Sequence, residues 1–447
     1  MSKRDLSKRN LSKRNLDALW MPFTPNRKFK KAPRFVESAD GVYLTSKGGR
    51  KVIDATAGLW CTNAGHNRPE IAEAVNKQLR KLDFTSSFNF ANELSFEYAE
   101  RLINYTPDDL NHVFFSSSGS EAVETALKLA MQYWHAKGKN NKQRFIGRQK
   151  GYHGVNFGGI SVGGITPNYK IFGQWLMVDH LTHNHDLSVN AFSKGAPEHG
   201  AELANELERL IDFHDASCIA AVIIEPILGA GGVYIPPKGY LKRIREICDQ
   251  HDILLIFDEV ITGWGRTGAS FASIEFDVKP DMITSAKAIT NGAIPLSAVF
   301  ISDEIYETCM NNAENPVEFY HGYTYSCHPV ACAAGMATLD IFVKEDLLTR
   351  ANIKGEIGSY WQEELHSMAD MSEVIDIRNY GLLGAIEIKA DKNNIGTLGP
   401  KALEMCWERG VMVRGIGDSI VISPPLTINK PEIDEITSVI RDVIPLL

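Results

Sequence analysis

Apolar residues along this chain fall into two alternating patterns. Short unbroken runs occur at Val113-Phe-Phe-Ser116, Ile219-Ala-Ala-Val-Ile-Ile224, Ile253-Leu-Leu-Ile-Phe257, Met282-Ile-Thr-Ser285 and Leu296-Ser-Ala-Val-Phe-Ile301. Between them, apolar residues recur at three- and four-residue spacing, as in Val123, Ala126, Leu127, Ala130, Met131 and Trp134. The first pattern predicts strands covered on both faces, the second helices that bury one stripe. Further helices are predicted near 69–82, 92–104, 240–250 and 328–343. Near-continuous apolar strands separated by helices imply an α/β fold with a mostly parallel sheet sandwiched between helices. Residues 17–60 read as irregular structure with short strands at Gly41-Val-Tyr-Leu44 and Val52-Ile-Asp54. The C-terminal third mixes helices with strands near 383–388 and 420–423, which suits a smaller α+β unit. The division expected is a basic extension (1–16), an N-terminal part of a small domain (17–65), a large domain (66–335) and the rest of the small domain (336–447).

Composition narrows the class. With 44% hydrophobic and 23% charged residues, the 447-residue chain has the make-up of a globular protein with a large core. A net charge of −8 argues against a nucleic-acid partner. No apolar run approaches the roughly 18 residues of a membrane span. Seven dispersed cysteines without a C-x-x-C pair suit reduced thiols in the cytoplasm. At the N-terminus, Ser2-Lys-Arg-Asp-Leu6, Ser7-Lys-Arg-Asn-Leu11 and Ser12-Lys-Arg-Asn-Leu16 repeat one pentapeptide. It lacks the apolar centre of a secretory signal and reads as a frayed basic extension.

The chemistry begins at Lys287. It lies just past the strand-like Met282–Ser285 segment, and Asp258 closes the Ile253–Phe257 run 29 residues earlier. A pyridoxal phosphate (PLP) site needs this layout: a lysine that carries the cofactor as a Schiff base, and a carboxylate that keeps the pyridine nitrogen protonated. Strand-end acids and lysines are also common without any such role. Ser118-Gly119-Ser120 links a strand to a helix, where free N–H groups and the helix dipole suit a phosphate. It could equally be a plain serine-capped turn. In Gly151-Tyr-His-Gly154, Tyr152 could stack on a flat ring or pack on the surface. Glu225 ends a strand beside the one carrying Asp258, in the region where α/β sheets bind ligands. Arg414 is either a fork for a substrate carboxylate or a solvated cation. Asp179-His-Leu-Thr-His-Asn-His-Asp186 matches no metal-binding spacing, and no metal site is expected; it reads as a polar surface loop. Gly229-Ala-Gly-Gly232 lacks dinucleotide-loop spacing.

Taken together, these stretches resemble the class III (subgroup II) PLP-dependent aminotransferases over roughly residues 17–445. Ser118–Ser120, Gly151–Gly154, Glu225-Pro226, Ile256-Phe-Asp-Glu-Val260-Ile-Thr-Gly-Trp-Gly-Arg266, Lys287 and Thr324 carry the likeness. Trp20-Met-Pro-Phe23, Gly58-Leu-Trp60, His321-Gly-Tyr-Thr324 and Val413-Arg-Gly415 make it most similar to the ω-amino acid:pyruvate (β-alanine–pyruvate) branch. The resemblance implies fold type I, with a large PLP-binding domain and a small domain built from both chain ends. It implies that Lys287 anchors PLP and shuttles a proton, and that Asp258 pairs with the pyridine nitrogen. Tyr152 and Val260 would sandwich the ring. Ser118, Gly119 and Ser120 would cradle the phosphate, with Glu225 beside the ring and Thr324 reaching the neighbouring subunit's phosphate. Phe23, Trp60 and Phe88 would shape the substrate pocket, and Arg414 would grip a carboxylate. The active unit implied is a homodimer with shared sites, or a dimer of dimers, acting on small amines and keto acids. Ala288 stands where many members have glycine. The alternatives are a same-fold enzyme using 2-oxoglutarate, an aminomutase, and a non-enzymatic scaffold, which would be expected to have lost the lysine or the acid. The donor stays open among β-alanine, taurine, diamines and aryl amines.

Overall fold

The computed structural model describes residues 16–183, 185–390 and 392–447. The repeated pentapeptides, apart from Leu16, lie outside the described residues.

Seven strands form the central sheet, in the order His112–Ser116, Ser297–Ile301, Met282–Ser285, Leu254–Asp258, Ile219–Ile224, Arg144–Arg148, Val178–Leu181. All neighbouring pairs are parallel except those of Ser297–Ile301, which runs antiparallel to both its partners. The apolar runs sit where their composition demands. Ile219–Ile224, Leu254–Asp258, Met282–Ser285 and Ser297–Ile301 are buried at every position. Each fully buried Val, Leu or Ile is worth about 1.5–3 kcal/mol, so these four strands anchor the core. The 18-residue helix Gly119–Ala136 lies on one face, burying Val123, Ala126, Leu127, Ala130 and Trp134 at the predicted spacing. Helix Tyr240–Gln250 packs against the opposite, larger cluster through Ile244 and Ile247.

Two four-stranded sheets stand apart from this layer. One joins Val36–Asp40, Tyr43–Ser46 and Lys51–Asp54 to Val411–Met412, so both ends of the chain meet in it. The other is the antiparallel set Val374–Tyr380, Leu383–Ile388, Ser419–Ile422 and Arg414–Ile416. The fold is α/β, with a large, mostly parallel sheet and a smaller α+β part, as expected. No helix among the described residues is long and apolar enough to cross a membrane.

The histidine-rich stretch departs from the expected surface loop. Asp179-His180-Leu181 belongs to the edge strand, and the His185 side chain is buried. Asp179 pairs with Arg144 at 2.7 Å, the His180 ring hydrogen-bonds the Gly163 carbonyl at 2.9 Å, and His185 meets Asp376 at 2.9 Å. These three side chains have separate partners distant in sequence, which local spacing could not reveal.

Candidate active site

Four parallel-sheet elements end at one place. Strand Leu254–Asp258 presents Asp258, and its neighbour Ile219–Ile224 leads into Glu225. Strand Met282–Ser285 leads into Lys287, and His112–Ser116 leads into the N-terminus of helix Gly119–Ala136. These junctions enclose a cavity of about 140 Å³ lined by Gly119, Ser120, Tyr152, His153, Gly154, Glu225, Asp258, Val260, Ile261 and Lys287.

Lys287 opens the turn Lys287–Thr290 with φ 53°, an unfavourable left-handed conformation for a residue with a Cβ. Asn291 locks the other end of the turn by accepting from Ala64 N (2.8 Å) and donating to Gly65 O (2.8 Å). Burial pushes the Lys287 amine below its ordinary range, against the opposing pull of Cys61, Asp258 and Glu225. Its Nζ lies 5.0 Å from the centre of the Trp60 ring.

Asp258 is buried, and three protein groups approach its carboxylate, which can accept about four hydrogen bonds. Oδ2 meets His153 Nδ1 at 2.7 Å, and Oδ1 accepts from Thr284 Oγ1 at 3.0 Å and Val260 N at 3.2 Å. The next residue, Glu259, faces away and accepts from Ser273 N (2.8 Å) and Thr262 Oγ1 (2.9 Å). Of the two adjacent acids, only Asp258 faces the cavity; Glu259 pins the loop beyond it. Glu225 accepts from Tyr152 N and Gly229 N, both at 2.8 Å, so it positions the tyrosine loop. Burial raises its carboxyl above the usual range. Of the Gly229–Gly232 run, Gly229 makes this contact, and the Gly232 carbonyl accepts from Arg378.

Ser118 caps its helix by accepting from Glu121 N at 3.3 Å. The first N–H groups of a helix have no intrahelical partner, so Gly119 and Ser120 offer donors to an anion. A Cβ on Gly119 would come within 3.1 Å of Val260, which explains glycine at this close approach. Ser120 Oγ accepts from Val155 N at 3.1 Å, tying the tyrosine loop to the same helix.

Trp60 and Arg414 extend the site. The Arg414 guanidinium lies 5.3 Å from the centre of the Trp60 ring. It forms no ion pair among the described residues, and its Nε and the Trp60 Nε1 are buried without hydrogen-bond partners. Gly415 lets Arg414 sit there, since a Cβ would fall 2.2 Å from Gly399 backbone. Thr324, Phe23 and Phe88 do not line this chain's cavity. Thr324 is exposed, Phe23 and Phe88 are 77% and 54% exposed, and Phe88 packs beside Gly322.

Two residues were missed by sequence reasoning. His153 holds Asp258, and its only signal was the glycine-flanked Tyr-His pair, in which Tyr152 alone was given a role. Glu124 accepts from Gly158 N (2.7 Å) and Gly159 N (3.1 Å), fixing helix Phe157–Val162 against helix Gly119–Ala136. Nothing local marks it.

A buried carboxylate, a desolvated amine, a tyrosine and a valine lining one cavity, and a free helix N-terminus form a set that suits PLP. Among the described residues, no group of His, Cys, Asp and Glu could hold a metal ion.

Relatives agree with this chemistry. The chain is 52% identical to an omega-aminotransferase of Caulobacter vibrioides, covering 96% of this chain and 97% of that protein. It is 49% identical to a beta-alanine–pyruvate aminotransferase of Pseudomonas aeruginosa, over 96% and 95% of the two chains. The solved omega transaminase from Pseudomonas jessenii in complex with PMP superposes with a TM-score of 0.90 at 33% identity, over 95% of each chain. Residues 24–444 match the family described as aminotransferase class-III, and the chain belongs to that PLP-dependent family.

Proposed function

We propose that the protein transfers an amino group from an ω-amino acid or another primary amine, β-alanine-like, to pyruvate, yielding alanine. The observation that carries this reading is the arrangement of Lys287, Trp60 and Arg414. A buried amine for proton transfer and a guanidinium without an ion pair among the described residues lie 5.0 and 5.3 Å from the centre of one aromatic ring. PLP, when bound, supplies the electron sink for cleavage of the donor's C–H bond. Asp258 would hold the pyridine nitrogen's proton, with His153 fixing the carboxylate. Tyr152 and Val260 would cover the two ring faces, and Ser118, Gly119 and Ser120 would take the phosphate. Lys287 would anchor the cofactor and, once freed, carry a proton to and from the substrate carbon as general base and acid. Arg414 would bind the keto acid's carboxylate in a bidentate fork. Pyruvate over 2-oxoglutarate is supported by relatives named as pyruvate aminotransferases.

The reading includes a homodimer in which Thr324, Phe23 and Phe88 serve the neighbouring site, in support of which all three stand clear of their own cavity. It also includes a cytoplasmic location, supported by seven cysteines that are all free thiols. A large domain over 66–335 and a small domain from 17–65 with 336–447 are supported by the separate sheets.

The test is a pair of half-reactions. PLP-loaded protein mixed with β-alanine, taurine, a diamine or an aryl amine should lose its visible cofactor absorbance. Added pyruvate should restore it and release alanine, more effectively than 2-oxoglutarate. No spectral change with any amine would sink the proposal.

A further inference from the structure

Beyond strand Lys51–Asp54 the chain enters a turn that most residues avoid. Ala57, Gly58 and Trp60 have φ of 46°, 68° and 59°, with Leu59 at −154° between them. Left-handed backbone is unfavourable for residues with a Cβ, so the surroundings must impose it.

Asp54 imposes it. Its carboxylate is fully buried and accepts from Thr56 N (3.0 Å), Thr56 Oγ1 (2.8 Å), Gly58 N (2.5 Å) and His66 Nε2 (2.8 Å). Those four donors use the roughly four lone-pair sites a carboxylate has. Thr56 Oγ1 also lies 3.1 Å from the Gly58 carbonyl, closing the turn from within.

This turn delivers Trp60, 4% exposed, to a position where its ring centre is 5.0 Å from the Lys287 amine and 5.3 Å from the Arg414 guanidinium. The same strand is stitched to the one that leads to Arg414. Met412 pairs with Asp54, and Ala55 N donates to Met412 O at 3.1 Å. One buried carboxylate therefore sits where the positions of the indole and the arginine are set together.

We infer that Asp54 is a positioning residue for the carboxylate side of the reaction. It holds Trp60 so that the indole keeps the Arg414 guanidinium at a fixed offset from Lys287. It acts through Trp60 and touches no substrate. This inference rests on the transaminase reading above. A keto acid gripped by Arg414 depends on that offset; an amine with no carboxylate does not.

The test compares PLP-loaded wild type with Asp54→Asn and Thr56→Val, each also in a Trp60→Ala background. Pyruvate is the acceptor, and benzylamine serves as the carboxylate-free donor in the single half-reaction. Asp54→Asn should lower kcat/KM for pyruvate about 10- to 100-fold, mostly through KM, as expected for displaced binding groups. The benzylamine half-reaction should change by less than about threefold, since it makes no use of the displaced fork. Thr56→Val should shift the same ratio in the same direction, less far. In the Trp60→Ala background, Asp54→Asn should add no further discrimination, because coupled residues are non-additive. Equal losses for pyruvate and benzylamine, or the same Asp54→Asn loss in both backgrounds, would overturn the inference. If Asp54→Asn does not fold, the Thr56→Val ratio decides alone. Wild type measured first separates the two failures: without amine transfer to pyruvate there, the transaminase reading itself falls.

Discussion

An amine enclosed by protein is a weaker base than one in water, and Lys287 is enclosed. Burial lowers its pKa, so the reactive neutral form appears at lower pH than for an ordinary lysine near 10.4. Between the lowered folded value and the ordinary one, the unfolded chain holds one proton more at this site. Stability of the cofactor-free protein therefore rises with pH across that window. The rate at which it takes up PLP covalently should reach its plateau below the ordinary lysine range. A loading rate that keeps climbing to pH 10.5 would contradict this. His153 supports a second prediction at the same scale. Its 2.7 Å contact is to a charged acceptor, a class worth about 1.5–3 kcal/mol. His153→Ala should lower kcat by about 10- to 100-fold at saturating PLP. His153→Gln, which can still donate from near the ring position, should recover part of the loss. Lys287 and Asp258 were legible in the sequence because each follows an apolar strand, and strand ends are where such sheets bind ligands. His153 was not, since its partner is 105 residues away.

At the scale of elements, the proposed phosphate cradle is held from outside its own helix. Gly154 has φ 90°, and a Cβ there would lie 2.4–2.8 Å from Ser120 atoms. Gly154→Ala thus strains the tyrosine loop and pushes Ser120 off the helix N-terminus. The expected result is PLP affinity weakened about tenfold or more, from about 1–3 kcal/mol of strain, with kcat at saturating PLP much less changed. Equilibrium dialysis of PLP against steady-state rates separates these, and equal loss of both would count against a cradle-specific role. The four fully buried strands were readable as apolar runs. Arg144–Arg148 and Val178–Leu181 were not, because arginines bracket the first and half of the second is polar. Their polar groups find partners distant in sequence: Arg144 pairs with Asp179, and Arg148 Nη2 donates to the Glu225 carbonyl. The turn at Ala57–Trp60 was equally hidden, since its positive φ values run against the preferences of alanine and tryptophan.

For the whole molecule, the arrangement of exposed groups poses the next question. Trp20, Phe23, Phe88, Phe90 and Tyr325 leave between 54% and 88% of their surface exposed, a cost that a partner surface would remove. Phe88 packs beside the loop that carries Thr324, and Thr324 stands clear of the cavity. If that loop completes the neighbouring subunit's phosphate site, Thr324 and Lys287 of one chain serve different sites. Thr324→Asp would set a carboxylate against a phosphate and abolish cofactor retention, and Lys287→Ala would abolish the anchor. Each homodimer should be inactive. In a two-fold dimer, the two defects of a mixed pair fall on one site and leave the other whole. Random pairing makes about half the dimers mixed, each with one intact site, so co-expression should restore about a quarter of wild-type activity. Were Thr324 part of its own chain's site, every mixed dimer would carry one defect per site, and no activity would return.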